Sequence, residues 1–199
     1  MTKVITISRE YGAGGHSIGV KVAEALGIPF YDKDIMKETA KASGYDLELV
    51  KEDDEDITTG NAILKTLCAS VHFNDPQEAI YEVQKAVIQK FALEGPCVIL
   101  GRCADVALKE ANIDSLDVFI HADDLHRAAR VTELTGETDP KELKKMLQKK
   151  DRSRHNFYTR YASKHWGDSR NYSLALDSGL LGNDLCVKMI VEAYRACEK

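Results

Sequence analysis

The sequence predicts an α/β fold: a parallel sheet covered by helices on both faces. Short β-branched apolar runs alternate with helical stripes along the chain, the pattern of strands joined by crossover helices. The first of those runs leads at once into a glycine-rich loop and then a helix. Each informative polar cluster also follows a predicted strand: Ser8 to Ser17, Asp32-Lys33-Asp34, Gly101-Arg102 and Asp123. Ligands of parallel sheets bind beyond the carboxyl ends of the strands.

Val4-Ile5-Thr6-Ile7 is short and β-branched and predicts a buried strand. Behind the loop, Ile18, Val22, Ala25 and Leu26 recur at helical spacing, and Gly27 supplies a C-cap. Ile28 to Asp32 predicts a short second strand. Lys33 to Ser43 predicts a helix stopped at Gly44. Glu52 to Asp56, five acids in a row, predicts a solvated loop or helix face. Ile80, Val83, Val87 and Phe91 form the stripe of a helix ended by Gly95-Pro96. Cys97 to Leu100 predicts a third strand and Asp117 to Ile120 a fourth. Asp123 or Asp124 then caps a helix carrying Arg127 and Arg130. Asp139-Pro140 with Glu142 starts the next helix with a cap, a first-turn proline and an early acid. Leu143, Met146 and Leu147 are its buried stripe. Tyr172 to Leu176 predicts a fifth strand, ending at Asp177-Ser178-Gly179. Asn183 caps a final helix whose Val187, Ile190, Val191 and Tyr194 face inward.

A chain of 199 residues predicts a single domain. With 44% hydrophobic and 30% charged residues it is not a disordered chain. A net charge of -5 argues against a general nucleic-acid binder, which needs a broad basic surface. Cys68, Cys97, Cys103, Cys186 and Cys197 form no C-x-x-C pair, which predicts reduced thiols rather than a zinc or redox centre. Met1-Thr2-Lys3 runs into only a short apolar stretch, and no apolar run approaches a membrane span of about 18 residues. The expectation is a cytoplasmic protein without a membrane partner.

Gly12, Gly14 and Gly15 let the backbone close around an anion, with amides and the positive helix end facing one point. A dinucleotide fingerprint would need a third glycine where Ser17 stands. The loop G-x-x-x-x-G-K-[ST] of nucleotide kinases suits the placement better. Even so, Arg9 occupies the place of its first glycine and Gly15 that of its lysine. Arg9 and His16 are the candidates to replace the lysine. Arg9 keeps a fixed charge that forks onto phosphate; its alternative is a pair with Glu10 or a surface acid. His16 would place an imidazole beside the phosphate.

The run Val4 to Gly19 resembles the opening of the cytidylate-kinase-like family, a bacterial branch of P-loop nucleoside monophosphate kinases. Further matches are Pro29 to Lys33, Gly101-Arg102-Cys103-Ala104-Asp105, Asp151-Arg152-Ser153-Arg154, and Tyr161 through Trp166-Gly167-Asp168 to Asn171-Tyr172. The resemblance covers nearly the whole chain, with little from residues 37 to 79. It implies a P-loop NTPase-type three-layer fold with a five-stranded parallel sheet. It also implies a helical acceptor-binding inset at about 37–79 and a mobile lid at about 150–170. ATP with Mg2+ is the implied donor and a nucleoside monophosphate such as CMP the implied acceptor. By the resemblance, Gly12, Ala13, Gly14 and Gly15 fall on the phosphate loop, with His16 beside them. The resemblance implies that Ser17, the hydroxyl residue that follows, also contacts magnesium. Arg102 and Asp105 fall on the acceptor site, and Arg152 and Arg154 on the lid arginines. Asp32 follows a strand end and is a further substrate candidate. With Asp34, Asp105 and Asp123 it is also a candidate for magnesium or proton handling. None of these follows the third strand, so magnesium is expected on phosphates, Ser17 and water.

The segment from 141 to 170 carries ten Lys or Arg and three acids, a charge of +7 against -12 for the rest. Such asymmetry points to a local anionic partner. Phosphoryl transfer needs cations to neutralise charge spreading over the transferred group. Lys141, Lys144, Lys145 and Lys149 read as a solvent face, and Arg152 and Arg154, near the helix end, as the phosphate ligands. Phe157, Tyr158, Tyr161 and Trp166 read as a small core anchoring the lid, with stacking on single-stranded nucleic acid as the less favoured alternative. Two other functions stay open. The absent lysine allows a nucleotide- or phosphate-binding regulatory protein without catalysis. The poorly matched inset allows a kinase for a different small-molecule acceptor.

Overall fold

Five parallel strands build the sheet: β1 (Val4–Arg9), β2 (Phe30–Tyr31), β3 (Cys97–Leu100), β4 (Ser115–His121) and β5 (Leu174–Asp177). Their order is β2-β3-β1-β4-β5, so β1 is central. Ile5 faces Val98 on one side and Leu116 on the other. The computed structural model describes residues 4–43 and 76–197. Gly44, the acidic run, Cys68 and most of the expected inset lie outside the described residues.

Side chains alternate across the strands and so divide the core in two. Ile5, Ile7, Val98, Leu100, Val118, Ile120 and Leu176 pack against α1 (Gly15–Leu26) and the last helix, α8 (Asn183–Cys197). Val4, Cys97 and Ile99 face the other way, onto α2 (Lys33–Ser43), α3 (Pro76–Glu94) and α4 (Ala104–Glu110). Helices therefore cover both faces, and the strands between them are buried throughout β3. Beyond the carboxyl ends of the strands lie α5 (Asp124–Thr135) and α6 (Pro140–Ala162), joined by Val131, Leu143 and Leu147.

Several boundaries differ from the sequence expectation. β4 begins at Ser115 because the Ser115 and Thr6 hydroxyls both donate to Asp117 Oδ1, each at 2.7 Å, which lets polar residues join the strand. β5 begins at Leu174, paired with Val118, while Tyr172 ends the 3-10 turn Ser169–Asn171. α4 was absent from the sequence reading. It has seven residues, too few for a periodic stripe, and it follows Arg102 and Cys103, whose φ values are 63° and 51°. α6 does not end near Arg152 and Arg154 but runs on to Ala162. Its far half is held by Tyr158 and Ala162, which bury against Tyr81 and Cys103. Phe157, Tyr161 and Trp166 pack on the same cluster, so the aromatic residues form a small core, as expected. The short helix α7 (Ser178–Leu181) starts where Asp177 accepts the amides of Gly179 and Leu180, giving Asp177 a turn role.

Candidate functional site

The loop between β1 and α1 turns on Gly12 and Gly14, with φ of 82° and 77°. Other residues rarely adopt such values. A Cβ on Gly12 would stand 2.7 Å from the Arg127 carbonyl oxygen, and one on Gly14 2.8 Å from Asn183 Oδ1. Ala13 points back into the core, and Ser178 Oγ braces the loop by donating to its carbonyl at 2.7 Å. Amides in the first turn of a helix have no intrahelical acceptor. Those of α1 open onto a cavity of about 250 Å³ lined by Gly12, Gly14, Gly15, His16, Ser17 and Asp32. Tyr11, Arg130 and Leu134 also line it. That concavity suits an anion.

A second, smaller cavity adjoins it, lined by Ser8, Gly101, Arg102, Cys103, Phe157, Tyr158 and Trp166. Arg9 and Arg154 line both cavities. Arg154 Nη1 donates to the Arg9 carbonyl at 3.1 Å, and its guanidinium lies 5.7 Å from the Tyr11 ring centre. Arg102 is buried. Burial, with Arg9 and Arg154 nearby, pushes its guanidinium well down, and Asp32 recovers only part of that. A pocket that crowds positive charge and excludes water favours an anionic occupant.

The remaining candidates take other places. Arg152 is exposed on α6 and lines neither cavity. Residues two apart on a helix face different ways, so Arg152 does not join Arg154 at the cavities. Asp105 is buried and reaches neither cavity. Its Oδ2 accepts from the Tyr158 hydroxyl at 2.7 Å, and burial raises its pKa against that bond. It therefore orients Tyr158, which does line the arginine cavity. His16 is 3.6 Å from Asp32 and packs edge-on to Phe30. Asp123 caps α5 by accepting from the His126 amide and also holds the His126 ring at 2.6 Å. Asp34 pairs with Lys37. Asp168, in the Trp-Gly-Asp segment, caps the 3-10 turn, and its hydrogen bonds from Arg170 pull its pKa down to about 2. Among the described residues no three His, Cys, Asp or Glu side chains gather to hold a metal. Ser17 and Asp32 are the oxygen-bearing side chains of the candidate set that line the glycine-loop cavity.

The sequence reading missed the brace behind the loop. Arg127 is 6% exposed and bridges two carboxylates, Glu10 at 2.9 Å and Asp151 at 2.6 Å. Burial opposes its charge, but the Glu10 hydrogen bond and the Asp151 carboxylate raise its pKa above the ordinary value. Asp151 also accepts the Tyr11 amide at 2.8 Å, and Glu10 accepts the Ala122 amide at 3.2 Å. One signal was available: Arg127 lies four residues before the buried Val131, a charged residue on the apolar face of its helix.

A central parallel strand, a glycine loop on the following helix and arginines gathered beyond the strand ends define a P-loop kinase fold. Solved structures agree. A shikimate kinase from Bacteroides thetaiotaomicron is 15% identical with a TM-score of 0.54, covering 96% of this chain and 98% of that one. A gluconokinase from Sinorhizobium meliloti is 18% identical with a TM-score of 0.56, covering 100% and 98%. An uncharacterized protein from Eubacterium ventriosum is 28% identical with a TM-score of 0.69, covering 96% of each chain. No curated protein is detectably similar in sequence. The model of the cytidylate kinase-like family matches residues 4–180, and the chain belongs to that family. No helix among the described residues is long and apolar enough to cross a membrane.

Proposed function

We propose that the protein transfers a phosphoryl group from Mg-ATP to a nucleoside monophosphate. One observation carries this reading: the glycine-loop cavity and the arginine cavity adjoin, and Arg9 and Arg154 line both. A group passing between a donor in one and an acceptor in the other would cross between these two guanidiniums. Family membership supports phosphotransfer to a small molecule.

The α1 amides would hold the donor phosphates, with the helix end adding positive potential. Arg154 would neutralise charge on the transferred group from α6. Arg102 would bind the anionic end of the acceptor, and Phe157, Tyr158 and Trp166 would offer flat faces to the rest of it. Asp105 would act through Tyr158. Ser17 and Asp32 would hold magnesium together with phosphate oxygens and water, and the ion would offset donor charge. Catalysis would rest on positioning and electrostatics, with no covalent intermediate.

The test mixes purified protein with Mg-ATP and, separately, CMP, UMP, AMP, GMP, dCMP, shikimate and gluconate, and resolves the products by chromatography. The expected result is a diphosphate from at least one nucleotide. A phosphorylated sugar acid or shikimate instead would keep the kinase and replace the acceptor. ATP binding with no product from any acceptor would favour the regulatory reading, which the glycine at the lysine position motivates.

A further inference from the structure

The loop carries glycine where the nucleotide-kinase pattern carries lysine, and the side chain of Arg9 fills the space. Arg9 ends β1, at the place of the pattern's first glycine. Gly15 is helical and its φ lies outside the left-handed region, so its backbone does not require glycine. Its surroundings do. A Cβ added there would stand 2.6 Å from Arg9 Cβ and 2.8 Å from Arg9 Cγ, well inside van der Waals contact. A Cβ at Gly101, on the loop after β3, would run into the Arg9 guanidinium. Two glycines, one opening α1 and one on the loop after β3, thus accommodate one side chain, Gly15 its stem and Gly101 its head.

Arg9 lines both cavities together with Arg154, its head lying against Gly101 of the second. We infer that Arg9 and Gly15 are a reciprocal exchange. Arg9 brings to the donor phosphates the positive charge that lysine brings at position 15 in the conventional loop, and the arginine stem keeps position 15 free of a side chain. This rests on the phosphotransfer reading of the same cavity. An arginine here is a planar fork able to hold two oxygens at once, whereas lysine is a point charge. A lysine at 15 would force the Arg9 stem out of its place, because its Cβ would lie 2.6 Å from Arg9 Cβ.

Calorimetric binding of Mg-ATP and of inorganic triphosphate tests this, with melting temperature as the control for folding. Arg9→Ala is expected to weaken both ligands by about tenfold or more, the effect of losing a charged hydrogen bond. If Arg9→Ala does not fold, Arg9→Met keeps the stem and carries the same expectation. Gly15→Ala changes no charge but displaces the stem, so it too weakens both ligands. Arg9→Gly combined with Gly15→Lys is expected to bind triphosphate about tenfold more tightly than Arg9→Gly alone. A folded Arg9→Ala or Gly15→Ala protein with wild-type affinity overturns the inference, as does a double exchange with no gain. Wild-type protein that binds neither ligand overturns the phosphotransfer reading and this inference together. Wild-type binding with an unaffected Arg9→Ala overturns the inference alone.

Discussion

Arg154 and Arg152 are two residues apart, yet only Arg154 turns toward the cavities. Arg154→Ala is therefore expected to lower turnover at least about tenfold, the scale of a lost charged contact in phosphoryl transfer. Arg152→Ala should stay within about twofold of wild type, since it touches neither cavity. Steady-state kinetics on the two variants side by side separates them; equal losses would mean that α6 turns during catalysis. Asp105 makes a prediction about stability. Burial raises its pKa, so the folded chain holds that proton more tightly than the unfolded chain. Stability is lost as pH rises from the ordinary carboxylate range through the folded value, and the cost is complete above it. Asp105→Asn removes that cost and keeps an acceptor for Tyr158, so its melting temperature at neutral pH should equal or exceed wild type. The advantage should vanish toward about pH 4. Asp105→Leu leaves the Tyr158 hydroxyl without its acceptor and should cost about 1–3 kcal/mol.

The Asp151 carboxylate ties α6 to the glycine loop, serving both Arg127 and the Tyr11 amide. Removing Asp151 leaves the buried Arg127 with Glu10 as its one close carboxylate among the described residues, and a buried charge that loses a partner is costly. Asp151→Ala should therefore destabilise the fold by about 3 kcal/mol, read from urea unfolding. Asp124 also approaches Arg127, at 4.0 Å, but its side chain is 80% exposed. Asp124→Ala should cost about 0.5 kcal/mol or less. Similar losses in the two variants would mean that the brace is not the fastening of α6. The same brace explains why Arg154 is aligned: it lies one turn beyond Asp151, and its own bond to the Arg9 carbonyl extends the attachment.

The whole molecule is acidic, but one segment beyond the strand ends, 141–170, carries a net positive charge of +7. A ligand held there binds the folded state alone. At about a hundredfold excess over its dissociation constant, Mg-ATP should add about 2.7 kcal/mol. For a chain of this size that raises the melting temperature by roughly 5–10 °C. A melting curve with and without Mg-ATP checks this, and coincident curves would remove the nucleotide from the assignment.

The strands β1 to β5, the glycine loop and the caps at Asp123 and Asp139 were legible because each is specified locally, by alternation, by φ preference or by a capping side chain. So were Arg9 as a candidate cation and the missing lysine, because both are read from position in a motif. The order of the strands, the brace of Glu10, Arg127 and Asp151, and the removal of Arg152 and Asp105 from the cavities were not. Each depends on contacts between residues far apart in the chain: Asp151 meets the Tyr11 amide across 140 positions, and Asp105 meets Tyr158 across 53. A sequence pattern carries the period of a helix or strand but not its rotation against a neighbour. That rotation is set by packing, here by Tyr158 and Ala162 against Tyr81 and Cys103. The sequence by itself determined that a glycine-rich loop opens a parallel α/β fold, and only the tertiary structure decided which arginines face that loop.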